Sequence, residues 1–340
     1  MKKVNFSEVF GEIYTKYGKE LESLRKDALN KCIVTLIGIA FIDFLLLKLI
    51  DYSELEILLI MLSILLYIFL CGVISSRYTT TFKQKAIRTL VENSNNTFEY
   101  NAKYGMSSSE YNESGFDRTW DEFKSEDGIS GNLGSMVSFK MSEVETIEIT
   151  RTKNGTTRTT TFLGLYGIIQ LPVKSRGKLD ILGDSILRKF KDARINLESQ
   201  EFEKNYDVLA DDKIWALQVL NSEAIENFIE MRNFFKKSIS IKIRDNEIYF
   251  RLSCEKMFEP KLFSSVNFDV LYKYFRIIDI PRFIYDNLID NIARVSENEE
   301  FKNEIKFDEK IEENSEILQN NNEEEEQNWF ATKVDDEKWF

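Results

Sequence analysis

"CIVTLIGIAFIDFLLLKLIDYSELEILLIMLSILLYIFLCGVIS", residues 32–75, is the stretch on which the fold turns. Two charges, Asp43 and Lys48, lie inside its first half, and Asp51, Glu54 and Glu56 gather at its middle. A lipid-spanning helix needs about 20 apolar residues, because the bilayer offers no partners for backbone N–H and C=O groups. Residues 32–50 and 55–75 each meet that length. The connection Asp51-Tyr52-Ser53-Glu54 is so short that it makes them antiparallel neighbours. A water-soluble core would have to bury two adjacent helices that are apolar on every side, an uncommon arrangement. The charged lead of 31 residues also brings the first apolar run too late for a signal peptide. The sequence predicts a transmembrane hairpin over 32–75.

The flanks predict its orientation. Lys16, Lys19, Arg25, Lys26 and Lys31 precede the first span, Arg77, Lys83, Lys85 and Arg88 follow the second, and the turn has no Lys or Arg. The positive-inside tendency then places both termini in the cytoplasm of a two-span cell-membrane protein, with the turn outside. Cys32, Cys71 and Cys254 show no paired spacing and suit a reducing compartment. Lys48 is close enough to its span end to snorkel. Asp43 lies deeper, where an acid costs about 2.5–3.5 kcal/mol on insertion scales. It reads either as a working acid (an ion path, a proton site, a contact in a homo-oligomer) or as a neutral packing residue. In the second case it is bonded to Ser63 or a backbone group, or paired with Lys48. A single acid without a companion in the second span makes a poor relay, which favours packing. Thr35 and Gly38 read as close-packing positions.

Working outward, Phe10, Tyr14, Tyr17, Leu21, Leu24 and Ala28 form one helical stripe, so 1–31 is an amphipathic helix running into the first span. The stripe is under three heptads long and suits packing on the chain's own domain better than a coiled coil. Residues 76–115 read as a helical connector: "YTTTFKQKAIRTLVE" continues the second span until "NSNN". Residues 116–296 read as a cytosolic α+β domain with a mainly antiparallel sheet and flanking helices. Its hairpins are "MVSFKMSEVETIEITRT" with "TTRTTTFLGLYGIIQLP", joined at Lys153-Asn154-Gly155, and "SISIKIRDNEIYFRLS", turning at Asp245-Asn246. In the first, Val144, Ile147 and Ile149 are taken as one face. Helical spacing marks "SEAIENFIEMRNFF" and "VLYKYFRIIDIPRFIYDNLIDNIARV".

Residues 297–340 hold 16 acidic residues against 5 lysines, which is nearly all of the net charge of −12. This acidic tail is too polar to fold alone. It carries two aromatic pairs, Trp329-Phe330 and Trp339-Phe340, half of the chain's four tryptophans. They read as docking motifs for a protein partner, or as segments that fold back on the domain or the membrane surface. No basic footprint points to nucleic acid.

"INLESQEFEKNYDVLADDKIWALQVLNSEAIENFIEM", residues 195–231, resembles the signature of the DUF3137 family of uncharacterised bacterial membrane proteins. That family shows a Leu-Glu-Ser-x-x-Phe step, a Phe/Tyr-x-Val, an Asp and an Ala-x-x-Leu leading into a helix. Here these are Leu197-Glu198-Ser199, Phe202, Tyr206, Val208, Asp211, Ala216 and Leu220, the last two one residue further apart than in the family pattern. "FLGLYGII" from Phe162, "EDGISG" from Glu126 and "YFRIIDI" also resemble family segments. The resemblance extends over most of 75–295 and leaves out the acidic tail. It implies the architecture and no activity.

Nothing in the residues declares an enzyme. There is no histidine, which removes the commonest general base and metal ligand. Gly128, Gly131 and Gly134 suggest a glycine-rich turn before a strand, where a phosphate loop would lead into a helix. Glu198, Glu201, Asp211 and Asp212 are carboxylates without a nucleophile or ligand set beside them, and Asp211-Asp212-Lys213 suits a turn beside a helix or strand start. No cofactor or metal is expected. Two functions stay open: a membrane-anchored cytosolic interaction or scaffold module, and an oligomeric two-span pore or stress-response effector gated by its domain.

Overall fold

The computed structural model describes residues 5–48, 53–117, 119–153, 155–183, 194–197, 199–296 and 301–303. The Trp-Phe pairs, nearly all of the acidic tail, Glu198 and Asn154 lie outside the described residues.

The N-terminal helix and the first apolar segment are one helix, α1 (Phe6–Leu47), capped by the Asn5 side chain, which accepts from the Ser7 N–H. At 1.5 Å per residue its 42 residues run for about 63 Å, far more than a bilayer core needs. The second rod is α2 (Ser53–Phe82), a single π-helical turn (Lys83–Ile87) and α3 (Arg88–Ser94). Cross-contacts keep the rods antiparallel from end to end: Asp43 with Ser63, Glu20 with Lys85, and Glu12 with Asn93.

The rods change character along their length. Between Ile33 and Val73 the large apolar side chains face outward, whereas Phe6, Val9, Ile13, Leu21, Tyr78, Phe82, Ile87 and Leu90 are buried against the rest of the chain. The predicted stripe therefore packs on its own domain, but not in the predicted phase. Tyr14 is 64% exposed, and Val9 and Ile13 take the core instead. The reason is that α1 is held between two neighbours: α3 on one side, and on the other a helix whose Phe268, Tyr272 and Phe275 surround Phe6.

Those neighbours belong to an eight-stranded sheet domain in which every pairing is antiparallel. In chain order its elements are β1 (Glu99–Asn101), α4 (Ser108–Glu113), β2 (Glu122–Leu133), β3 (Val137–Thr152), β4 (Gly155–Gln170), β5 (Leu179–Gly183), α5 (Gln200–Asn205), β6 (Tyr206–Ala210), α6 (Lys213–Val219), α7 (Ser222–Phe235), β7 (Ser240–Arg244) and β8 (Glu247–Ser253). Then follow α8 (Phe268–Ile278), α9 (Ile280–Ile284), a second π turn (Tyr285–Ile289) and α10 (Asp290–Arg294). The sheet order is β1-β2-β3-β4-β8-β7-β5-β6. One face carries the main core, which includes both rods and the C-terminal helices. The other holds a smaller cluster, Met106, Tyr111, Val144, Phe162, Tyr166 and Tyr249, under α4.

Three local expectations change. The segment 76–115 is not helical throughout, because β1 pairs with β2 as the sheet's edge. Val144 and Ile147 do not share a face: Val144 belongs to the smaller cluster, and the odd spacing between them crosses the plane of the sheet. Of the three glycines, only Gly134 sits at the turn, with φ 72°, whereas Gly128 and Gly131 are inside β2. A Cβ at Gly131 would meet the Phe98 ring at 2.6 Å.

Candidate functional site

Asp43 is placed where packing, not transport, is the simpler account. Its Oδ1 accepts from the Ser63 hydroxyl at 2.7 Å, across the hairpin. Lys48 lies over the Phe44 ring, 4.4 Å from its centroid, and does not pair with Asp43. Of the other candidate carboxylates, the described ones serve local structure. Asp212 caps α6 by accepting from the Trp215 N–H, Asp211 accepts from the Lys178 N–H, and Glu201 is exposed in the first turn of α5.

The polar constellation that the chain does assemble lies where the second rod meets the sheet. Lys83 opens the π turn and is buried, with Nζ 2.7 Å from Asp127 Oδ2, 2.8 Å from Glu259 Oε1 and 3.5 Å from Glu126 Oε2. Two irregularities bring these groups together. A π turn inserts one residue into a helix and re-aims the side chains after it. On the sheet side, Asp127 and Gly128 together oppose Ser142, which makes a β-bulge. Asp127 adopts φ 56°, a conformation that Asp tolerates better than most residues. Gly128 is required beside it: a Cβ there would meet the Tyr104 carbonyl oxygen at 2.4 Å.

The rest of the shell is acidic. The Tyr100 hydroxyl donates to Asp127 Oδ1 at 2.5 Å. Lys256 Nζ reaches Glu126 Oε1 at 3.4 Å. Glu143, buried on β3, accepts from the Met257 N–H. Burial pushes the Asp127 carboxyl up to about 6 against the pull of Lys83, and pushes Glu143 up to about 7. Burial alone would lower Lys83, but Asp127 and Glu259 outweigh it and hold the ammonium above its ordinary range. Such a lysine is charged and occupied by acids, the opposite of the desolvated neutral amine that nucleophilic catalysis needs. Chemically the arrangement is a buried ionic latch. It ties the second rod to β2 and to the loop 254–267, whose Glu259 supplies the third acid.

Lys83 entered the sequence reading only as one flanking charge among four, and Asp127 and Glu259 did not enter it singly. One signal was readable: an Asp-Gly inside a strand-like run marks a bulge.

The residues of the family signature serve the fold. Ser199 caps α5, Phe202 stacks on Tyr206 at 4.5 Å, and Phe202, Tyr206, Val208, Ala216 and Leu220 are all buried. In class, this is an α+β protein with two long apolar helices joined to an eight-stranded antiparallel sheet. Residues 160–288 are a DUF3137 region, matching the family described as "Protein of unknown function (DUF3137)". No curated protein matches the chain. A solved structure, the mycobacterial trehalose monomycolate transport factor A, TtfA, aligns over 55% of this chain and 88% of its own. Its identity is 10% and its TM-score 0.28, too slight a likeness to carry an argument.

Proposed function

We propose that this chain is a membrane-anchored scaffold: the hairpin holds the sheet domain at the cytoplasmic face of a bilayer, and the domain presents surfaces to a protein partner. The carrying observation is the bareness of the apolar rods. Their most apolar windows are only 6% and 0% buried, where a core helix of a soluble protein would be mostly covered. Water would penalise some twenty exposed Leu, Ile, Val, Met and Phe side chains there, and lipid would not. The test is extraction of membranes carrying the full chain with alkaline carbonate. Retention in the pellet supports the anchor, and release into the supernatant sinks it. For orientation, an impermeant maleimide should label Thr157→Cys only after cells are opened.

Two features suit partner binding. The far ends of β3 and β4 project past their sheet neighbours as a two-stranded arm: among the described residues no other strand pairs with β3 after Ile147 or with β4 before Gly164, although the Ile149 N–H is taken by Asp121 and the Leu163 carbonyl by the Cys254 N–H. Free edges of this kind accept an added strand. The tail motifs Trp329, Phe330, Trp339 and Phe340 are the second, proposed from sequence alone. Copurification with and without residues 297–340 separates them, since recovery of the same proteins after truncation removes the tail from the account. No catalytic role is assigned to the Lys83 latch, whose donors are spent on acids. The pore alternative is disfavoured because Asp43 is engaged within its own hairpin.

A further inference from the structure

The loop 254–267 crosses from β8 to α8 along the flank of α1, and four contacts give its height on that helix. Phe268, just after the loop, packs on Phe6 and Phe10 with ring centroids 4.8 and 5.2 Å apart, at the end remote from the apolar stretch. Ser265 and Val266 line a groove of about 610 Å³ with Ile13, Tyr14 and Gly18, further up. The Leu262 carbonyl accepts from Arg25 Nη1 at 2.8 Å, further still. Glu259 has already stepped down again, since it binds Lys83, two residues from the Lys85 that pairs with Glu20. The apex of the loop, nearest the apolar stretch, is therefore 260–264.

That height is measurable in residues. Arg25 lies seven positions before Cys32, about 10 Å along the helix at 1.5 Å per residue. The headgroup layer beyond the hydrocarbon is about 5–8 Å thick. The backbone of the apex thus lies a few ångströms outside the headgroup layer, a gap that long side chains at the apex can span. What it carries there is unusual for a soluble loop: Phe263 is 84% exposed, more than any other large apolar side chain among the described residues. Lys261 beside it is exposed and has no ion-pair partner among the described residues, and the same holds for Arg77 on α2 at a similar height.

We propose that the apex Lys261-Leu262-Phe263 is a second membrane contact, in which Phe263 enters the headgroup layer of the leaflet on the domain's side and Lys261 meets anionic headgroups. The chemistry is that of interfacial anchors, an aromatic wedge next to a basic side chain. The inference rests on the anchored reading of the hairpin and adds to it a fixed posture: the domain lies against the lipid on the side of this loop.

The experiment uses the full chain in lipid nanodiscs of phosphatidylcholine, alone or with phosphatidylglycerol, carrying bromine on the acyl chains near the headgroup. Tryptophan emission is read for Phe263→Trp and for Phe69→Trp, a reporter inside the apolar stretch, each after subtracting the wild-type signal. The expected result is quenching of both, with residue 263 quenched more strongly when phosphatidylglycerol is present and Lys261→Ala abolishing that difference. Quenching at 69 without quenching at 263 overturns the loop contact and leaves the anchor standing. Quenching at neither position overturns the anchored reading and the loop contact together. Equal quenching at 263 in both lipids overturns the role of Lys261. A concentration-dependent shift at 263 without bromine quenching assigns the apex to a second copy of the chain instead of lipid.

Discussion

Replacing Lys83 with methionine keeps the length and apolar stem of the side chain and removes its charged end. What remains is unequal on the two sides of the latch. Glu259 and Glu126 are roughly a third exposed, at 35% and 38%, and can turn to water. The Asp127 side chain is 0% exposed and keeps only the Tyr100 hydroxyl as a side-chain partner. The expected cost is that of one stranded buried charge, about 3–5 kcal/mol. It depends on pH in a definite direction. Burial already pushes Asp127 up to about 6 with Lys83 present, and losing the cation raises it further. The folded variant thus holds a proton that the unfolded chain releases near pH 4. The penalty is small below that pH and grows as pH rises through the folded value. Lys83→Met/Asp127→Asn should regain most of the loss, because no charge is stranded and Asn tolerates φ 56°. Urea unfolding of the full chain in detergent micelles, followed by near-ultraviolet circular dichroism at pH 5 and pH 8, measures all of this. A Lys83→Met variant within about 1 kcal/mol of wild type at pH 8, or a double variant no better than the single one, would refute the reasoning.

Glu143 offers a second titration, one that burial raises first and the neighbouring Glu126 and Asp127 raise further. Its carboxyl is raised from 4.5 to about 7, so wild-type stability should fall as pH rises between those values and level off above. Its share of the fall is about 1–3 kcal/mol after discounting for water that reaches the group, and in the same urea assay Glu143→Gln should remove that share and leave the fall that the raised Asp127 carboxyl causes at lower pH. Gly128→Ala should cost about 1–3 kcal/mol through the clash with the Tyr104 carbonyl, seen as a lower melting temperature, and an unchanged one would mean that the bulge opens freely. Asp43→Asn should leave ion conductance of reconstituted vesicles at the level of empty ones, as should wild type. Conductance that vanishes with the carboxylate would revive the pore.

The parts legible in the sequence were those coded by neighbours along the chain. The hairpin announced itself by length and apolarity, and the "SISIKIRDNEIYFRLS" hairpin by strict alternation, because β7 and β8 need only a local turn to pair. The turn at Asp211-Asp212-Lys213 was equally local, though only the structure shows that it opens a helix capped by Asp212. The latch was not legible, because Lys83 and Asp127 are 44 residues apart and each looks ordinary in its own segment. A lysine after an apolar span reads as a topology signal, and only the tertiary fold turns this one inward. The phase of the α1 stripe failed for a related reason: Phe10, Tyr14 and Tyr17 fit one helical face, but two neighbours at an angle bury Val9 and Ile13 as well. Periodicity finds a single seam, and α1 has more than one.

The π turn at Lys83–Ile87 has a consequence for how such a chain can change over time. An α-helix advances about 100° per residue, so one extra residue offsets everything beyond it by that angle. In a continuous α-helix of this sequence the exposed apolar part of the second rod and its sheet-facing part would be offset by that angle, and the wider turn takes up the difference. One residue can therefore be gained or lost at this point without turning either half away from the neighbours it packs on. Deleting one residue there would let the turn close as an ordinary α-helix and leave both halves at their present azimuths, with α1 still bound to both, because the wider turn absorbs the extra residue.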